Sequence, residues 1–239
     1  MTATEAQFTL HTHVTCPAAF KVAHVLSLLN LTYNPIYFDS TSISRHEKLK
    51  WFAKLNPNGR SPVLIDHAQN DHVVWESTAI LLYLVTLYDT ENTLWPKDVF
   101  EQSKVNEWLM LQASGQGPTI GQAFWFGYWH HEVLPSAYKR YVDETKRILN
   151  VLENWLKDKK WLVGGKMSIA DVSYYSWYEE AYLVDVDLAK EFPTVHTWME
   201  TMGAIPEIVK GSVGREMIKP KKIWERDGYS LAGTTSSVG

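Results

Sequence analysis

The chain has 239 residues, 45% of them hydrophobic and 21% charged, which is enough apolar material for a packed core and excludes wholesale disorder. Lys plus Arg number 23 against 27 for Asp plus Glu, a net charge of −4 that argues against a dedicated nucleic-acid binder and its basic face. The longest apolar run, residues 79–85, is far shorter than the ~20 residues a membrane span needs. Residues 1–7 lack the basic and apolar regions of a secretory signal, and the single cysteine, Cys16, cannot form an internal disulfide. These features describe a soluble, cytoplasmic protein held together by packing in a reducing compartment.

In chain order, residues 7–11 read as a strand and 17–29 as a helix whose apolar face is Phe20, Val22, Val25, Leu26 and Leu29. Residues 33–38 read as a second strand, with Pro35 suited to its start or to an edge. A mixed helix over 45–55, a turn at 56–59, short strands at 63–66 and 73–75, and a helix over 76–88 complete a βαβαββα order. Residues 89–99 read as a linker. Beyond them only helices are predicted, over 100–114, 119–131, 135–157, 169–182 and 188–202. Ser168 and Asp171 have the spacing of a capping box, with Met167 and Val172 placed for a hydrophobic staple. The expectation is an α/β domain over 7–88, an all-α domain over 100–212 and a disordered tail over 213–239.

Three places carry chemistry. Cys16-Pro17 sits where the first strand hands over to the first helix, which makes Cys16 the N-cap, facing free amides and a helix dipole that favour thiolate. Packing is the alternative role for that thiol, and Ala19 three residues on excludes a Cys-x-x-Cys dithiol. Ser61-Pro62 enters a strand from a turn and is a candidate cis bond that would turn the Ser61 backbone outward. Glu76-Ser77 opens a helix: Ser77 can cap it, the helix amides form an anion site, and Glu76 could take an ammonium. A capping pair that serves only the helix is the plainer alternative. His130 and His131 are adjacent and lack metal-ligand spacing, so no metal site is expected.

The βαβαββα unit, the Ser-Pro before its third strand, the Glu-Ser opening its third helix and an all-helical second half with Ser-Ile-Ala-Asp resemble a glutathione S-transferase from about residue 8 to 212. Finer segments are similar to the fungal nitrogen-regulator-like class and the bacterial nu class: Phe20-Lys21-Val22-Ala23, Asn56-Pro57-Asn58-Gly59-Arg60, Trp75-Glu76-Ser77, Gln112-Ala113-Ser114-Gly115 and Trp161-Leu162-Val163-Gly164. The resemblance implies the thioredoxin-like plus all-α fold, a homodimer, and glutathione as co-substrate. It implies that Ser61 offers its backbone to the cysteinyl part of glutathione and that Glu76 and Ser77 hold the γ-glutamyl ammonium and carboxylate. His46 falls near the family's glycine-end contact, and Asp66-His67 is structural. The family's Pro-Asn-Gly turn is replaced by Cys16-Pro17-Ala18-Ala19, which is similar to the omega class, so Cys16 is the catalytic candidate.

A hydrophobic, aromatic second substrate is expected between the domains against Phe124, Trp125 and Tyr128, where Gln116-Gly117-Pro118 would break a helix and admit ligand. The leading activity is conjugation of glutathione to such an electrophile. Cys16-dependent thiol transfer or deglutathionylation, a biosynthetic tailoring step, and a non-catalytic ligand-binding regulator are the alternatives.

Overall fold

The computed structural model describes residues 6–38 and 45–226, except for the side chains of 45–49. Its first half is a four-stranded sheet in the order β2-β1-β3-β4, built from β1 (Phe8–Thr12), β2 (Tyr33–Tyr37), β3 (Val63–Asp66) and β4 (His72–Trp75). β1 pairs parallel to β2 and antiparallel to β3, which pairs antiparallel to β4. β1 is the central strand that joins both pairings, and its Phe8 and Leu10 are fully buried. Pro35 lies in β2, at the sheet edge, where a missing N–H costs no second ladder. Helices α1 (Pro17–Leu28), α2 (Arg45–Leu55) and α3 (Ser77–Tyr88) complete the thioredoxin-like unit.

The second half is helical: α4 (Val99–Leu111), α5 (Gly117–Phe124), α6 (Pro135–Leu156), α7 (Ile169–Tyr178), α8 (Leu188–Glu191), α9 (Pro193–Gly203) and α10 (Pro206–Gly211). Both halves share one core, in which Leu26, Leu64 and Leu84 join Val105, Leu109, Ile148 and Tyr174. Helix α1 is the hub, apolar nearly all round and packed against α3, α7 and α10. Gly211 permits the closest of these contacts, since a Cβ there would stand 2.9 Å from the His24 Cα and 3.0 Å from the Ala23 carbonyl. The capping box forms as expected: Ser168 Oγ accepts from the Ala170 amide, and Asp171 accepts from the Ser168 and Leu162 amides.

Several elements differ from expectation, each for a local reason. The helices expected at 100–114 and 119–131 are one right-handed path from Val99 to Trp129, because π-helical turns at Gln112–Gln116 and Trp125–Trp129 stay helical in φ and ψ. The first π turn absorbs Pro118, so Gln116-Gly117-Pro118 does not break the helix. Conversely, the helix expected over 188–202 splits at Phe192, held at φ −140° before Pro193. Helix α10 was not predicted, having only six residues between Pro206 and Gly211.

Residues 213–226, expected as part of a disordered tail, instead form a strap across the molecule. The Glu216 amide donates to the Val14 carbonyl (2.9 Å), Tyr182 donates to the Ile218 carbonyl (2.7 Å), and Ile223 is buried. Arg215, 4% exposed at its side chain, pairs with Glu179 and Glu180 and lies over the Phe20 ring, while Lys222 binds Asp185 and Tyr138. Two basic residues, Arg215 and Lys222, are therefore anchors of a segment expected to be disordered. Residues 227–239 lie outside the described part.

Candidate functional site

Three junctions of strand or turn with helix converge on one cleft of ≈ 700 Å³ between the sheet unit and the helices. At the first, Cys16 is the N-cap of α1 in extended conformation, its carbonyl accepting from the Ala19 and Phe20 amides. Its thiol makes no capping bond and accepts instead from Ser61 Oγ at 3.6 Å. Burial pushes the Cys16 thiol up, the Glu180 carboxylate adds to the rise, and the Ser61 hydroxyl with the nearby Ala19 and Ala18 backbone offsets only part of it. The helix N-terminus was expected to favour thiolate, but desolvation outweighs it in the ligand-free protein.

At the second junction the buried Asn56 organises the turn, accepting from the Asn58 amide at 2.9 Å and donating to the Arg60 carbonyl. Gly59 closes that turn at φ +66°, and the Ser61–Pro62 bond is cis, as the Ser-Pro pattern suggested. At the third, Glu76 sits between β4 and α3 at φ +69°, a conformation disfavoured for a side chain with a Cβ. Its carbonyl accepts from the Ile80 amide (2.9 Å), so Glu76 occupies the cap position expected of Ser77, and Ser77 is the first helical residue. The Glu76 carboxylate accepts from Asn58 Nδ2 at 3.5 Å.

Ser61, Glu76 and Ser77 line one side of the cleft, with Asn58 and Arg60. The other side is Gln112, Gly117, Gly121, Gln122, Trp125 and Trp177, whose buried indole N–H has no partner among the described residues. Cys16 stands behind Ser61, one hydrogen bond from the cleft. Of the aromatic residues expected at a second-substrate site only Trp125, 46% exposed, lines it. Phe124 packs its ring on Tyr128 and Trp129, while buried Tyr128 donates to the Leu183 carbonyl. Gln116 is buried behind the wall, bonded to Gln112 and the Tyr174 carbonyl. These three are engaged in the protein's own packing and hydrogen bonds and do not line the cleft, the chain staying helical through both π turns. The His46 side chain lies outside the described residues. Asp66 is structural as read, accepting from Tyr83, Tyr88 and the Ala68 amide.

Sequence reasoning missed Lys21. Its side chain lines the cleft at 1% exposure, donating to Thr78 Oγ1 (3.0 Å) and to Gln112 Oε1 (2.8 Å). Burial pulls its ammonium down to about 7, against the charges of Glu76 and Cys16, which favour it. The signal was a lone lysine in an otherwise apolar helix, Pro17-Ala18-Ala19-Phe20-Lys21-Val22-Ala23. Among the described residues there is no cluster of His, Cys, Asp and Glu able to hold a metal, and no helix long and apolar enough to cross a membrane.

A thioredoxin-like sheet followed by a helical bundle, with a cleft between them opening on cis Ser61–Pro62 and Glu76-Ser77, defines a class. Residues 6–86 match the glutathione S-transferase N-terminal domain and residues 117–206 the glutathione S-transferase C-terminal domain. The chain belongs to the glutathione S-transferase family. It is 42% identical to glutathione S-transferase 1 of Schizosaccharomyces pombe, over 84% of this chain and 93% of that one. It is 35% identical to the transcriptional regulator URE2 of Saccharomyces cerevisiae, over 87% of this chain and 68% of that one. Among solved structures, Ure2p in complex with glutathione matches at a TM-score of 0.83 and 38% identity, over 88% and 95% of the two chains. URE2P6 of Phanerochaete chrysosporium in complex with oxidized glutathione matches at 0.81 and 42%, over 87% and 95%.

Proposed function

We propose that the cleft binds glutathione and that the protein is a transferase conjugating it to an electrophilic, aromatic small molecule. The observation that carries this is the convergence of cis Ser61–Pro62 with Glu76-Ser77 in one cleft whose far end is Trp125 and Trp177. Glu76 then takes the γ-glutamyl ammonium, the Ser77 hydroxyl and the first amides of α3 take its carboxylate, and the Ser61 backbone pairs with the cysteinyl peptide. The glutathione-bound Ure2p structure supports the ligand, and the Schizosaccharomyces pombe transferase supports the activity. Donors near the sulfur lower the cost of thiolate, and the aromatic end positions the electrophile.

The test is calorimetry with glutathione beside turnover of a model aromatic electrophile. We expect Ser77→Ala to weaken glutathione binding by about 1–3 kcal/mol, the range for leaving a polar group unmet. Unchanged affinity in a folded variant overturns the assignment.

A second reading keeps the site and makes Cys16 the nucleophile, favoured by the Ser61 Oγ to Cys16 Sγ contact and by Ala18 at the neighbouring position of the turn. The Cys16 thiolate would displace RS⁻ from a glutathionyl mixed disulfide, forming Cys16–S–SG, and a glutathione thiolate would then release oxidized glutathione. Cys16→Ser and Cys16→Ala separate the two. Loss of thiol transfer in both, with one glutathione adduct on the parent by mass spectrometry, selects the nucleophile. Conjugation retained by Ser and lost by Ala selects a hydrogen-bond donor. Binding without turnover of either substrate class selects the ligand-binding regulator.

A further inference from the structure

A buried lysine normally has a carboxylate beside it, because an isolated ammonium in low dielectric loses its hydration without return. Lys21 has none: at 1% exposure it forms no ion pair among the described residues. Its two hydrogen bonds go to neutral acceptors on opposite sides of the cleft, Thr78 on α3 and Gln112 on the helical half. An ammonium has three N–H groups, so one remains. Thr78 follows Ser77 directly, which places the Lys21 nitrogen one residue from the hydroxyl proposed to hold the ligand's carboxylate.

The acceptors are themselves fixed. Gln112 donates to Gln116 (3.1 Å), which donates to the Tyr174 carbonyl (3.2 Å), so the lysine is held by a chain reaching into α7. This is a cation site built before its anion arrives. The titratable groups acting on it are Glu76 from the start of α3, which favours the charged form, and Cys16 from the start of α1. Both are outside ion-pair contact, and burial prevails over them in the ligand-free state, bringing the ammonium to about 7.

We propose that Lys21 is the counter-ion for the anionic γ-glutamyl end of the ligand, and that it takes up a proton as that ligand binds. The inference rests on the glutathione reading of the cleft. A carboxylate beside Lys21 favours the ammonium, so its protonation constant rises on binding. Below neutrality Lys21 is charged in both states and little is exchanged. Above neutrality the free protein holds neutral lysine and the complex holds ammonium, so a proton enters from solvent. Affinity for an anionic γ-glutamyl ligand therefore falls as pH rises from 7 to 8.

The probe is S-hexylglutathione, which has no thiol to ionise. Calorimetric titrations in buffers of different ionisation enthalpy give the protons taken up per ligand bound. For the parent we expect uptake approaching about one proton near pH 8 and almost none near pH 6, with affinity falling about three- to tenfold from pH 7 to 8. Lys21→Met should bind about 10- to 100-fold more weakly at pH 6.5 and lose that uptake. Any protonation of the ligand's own amine is common to both proteins and cancels in the difference. Lys21→Arg, a cation that cannot deprotonate, should bind with no such uptake and keeps the test open if the methionine variant fails to fold. Uptake in Lys21→Arg or Lys21→Met equal to that of the parent overturns the proposal, as does a folded parent that binds without it. A parent that does not bind S-hexylglutathione at all overturns the glutathione reading itself.

Discussion

Asp66 is fully buried at the end of β3 and accepts from two tyrosine hydroxyls and a backbone amide, so it knots the sheet to α3. Asp66→Ala would leave the Tyr83 and Tyr88 hydroxyls unmet, and we expect a loss of about 2–4 kcal/mol in urea unfolding. Local chemistry of this kind was legible in the sequence. A proline fixes the junction at Cys16, the Ser-Pro entry marked the cis bond, and Glu-Ser stands where a strand meets a helix. The Cys16 thiol was not legible, because its state depends on burial and on Glu180, which lies 164 residues away in the chain. Lys21 was hidden for the same reason: the side chains that hold it come from residues 78 and 112.

At the scale of elements, α1 determines how the halves meet. His24 lies at its centre, fully buried between Ser176 of α7 and Ser212 beyond α10. Burial, reinforced by the positive charge of Arg215, drives its imidazole down to about 3, so the folded protein keeps it neutral. The unfolded chain binds a proton near its ordinary value of ~6.5, so acid favours the unfolded state and stability is lost as pH falls below that value. Stability measured against pH for the parent and for His24→Gln should diverge by up to about 1.4 kcal/mol per pH unit below 6.5 relative to the variant. The difference matters because Asp171, pushed up to about 6, acts in the opposite direction in both proteins. Gly211→Ala tests the same contact sterically, and we expect about 1–3 kcal/mol of destabilisation by thermal unfolding, since its Cβ would meet the buried His24 ring and, behind it, the His24 Cα and Ala23 carbonyl of the backbone. Helix periodicity located α6 within a residue, whereas the break expected at Gln116-Gly117-Pro118 is absent and Phe124 and Tyr128 are taken up by the protein's own packing. Each π turn adds a residue to one turn, so the chain passes Pro118 without leaving the helix.

For the whole molecule, large apolar side chains remain uncovered on the single chain: Val99 and Phe100 at the start of α4, Met110 near its end and Leu87 on α3. Together with the family membership they lead us to expect a homodimer, which light scattering at micromolar concentration checks; a stable monomer would refute it. The division into a sheet half and a helical half was readable because strand patterns alternate with helical ones before the linker and stop after it. The strap over 213–226 was not, since its anchors are single long-range contacts of Arg215, Lys222 and Ile223 rather than a pattern.

The position of Arg215 in the chain has a consequence for synthesis. Glu179, Glu180, Ser176 and Phe20, its side-chain partners among the described residues, are translated before it. A nascent chain that has completed α7 holds two neighbouring carboxylates bound for a dry site with their guanidinium still unmade. Burial already raises both, Glu180 to about 7, even with Arg215 in place. Arg215, made after both carboxylates, thus acts as the closing charge of this site. Arg215→Met should cost about 3–5 kcal/mol at neutral pH, and the deficit should shrink on acidification as the carboxylates accept protons instead. A deficit independent of pH would mean that Arg215 acts through packing on Phe20 alone.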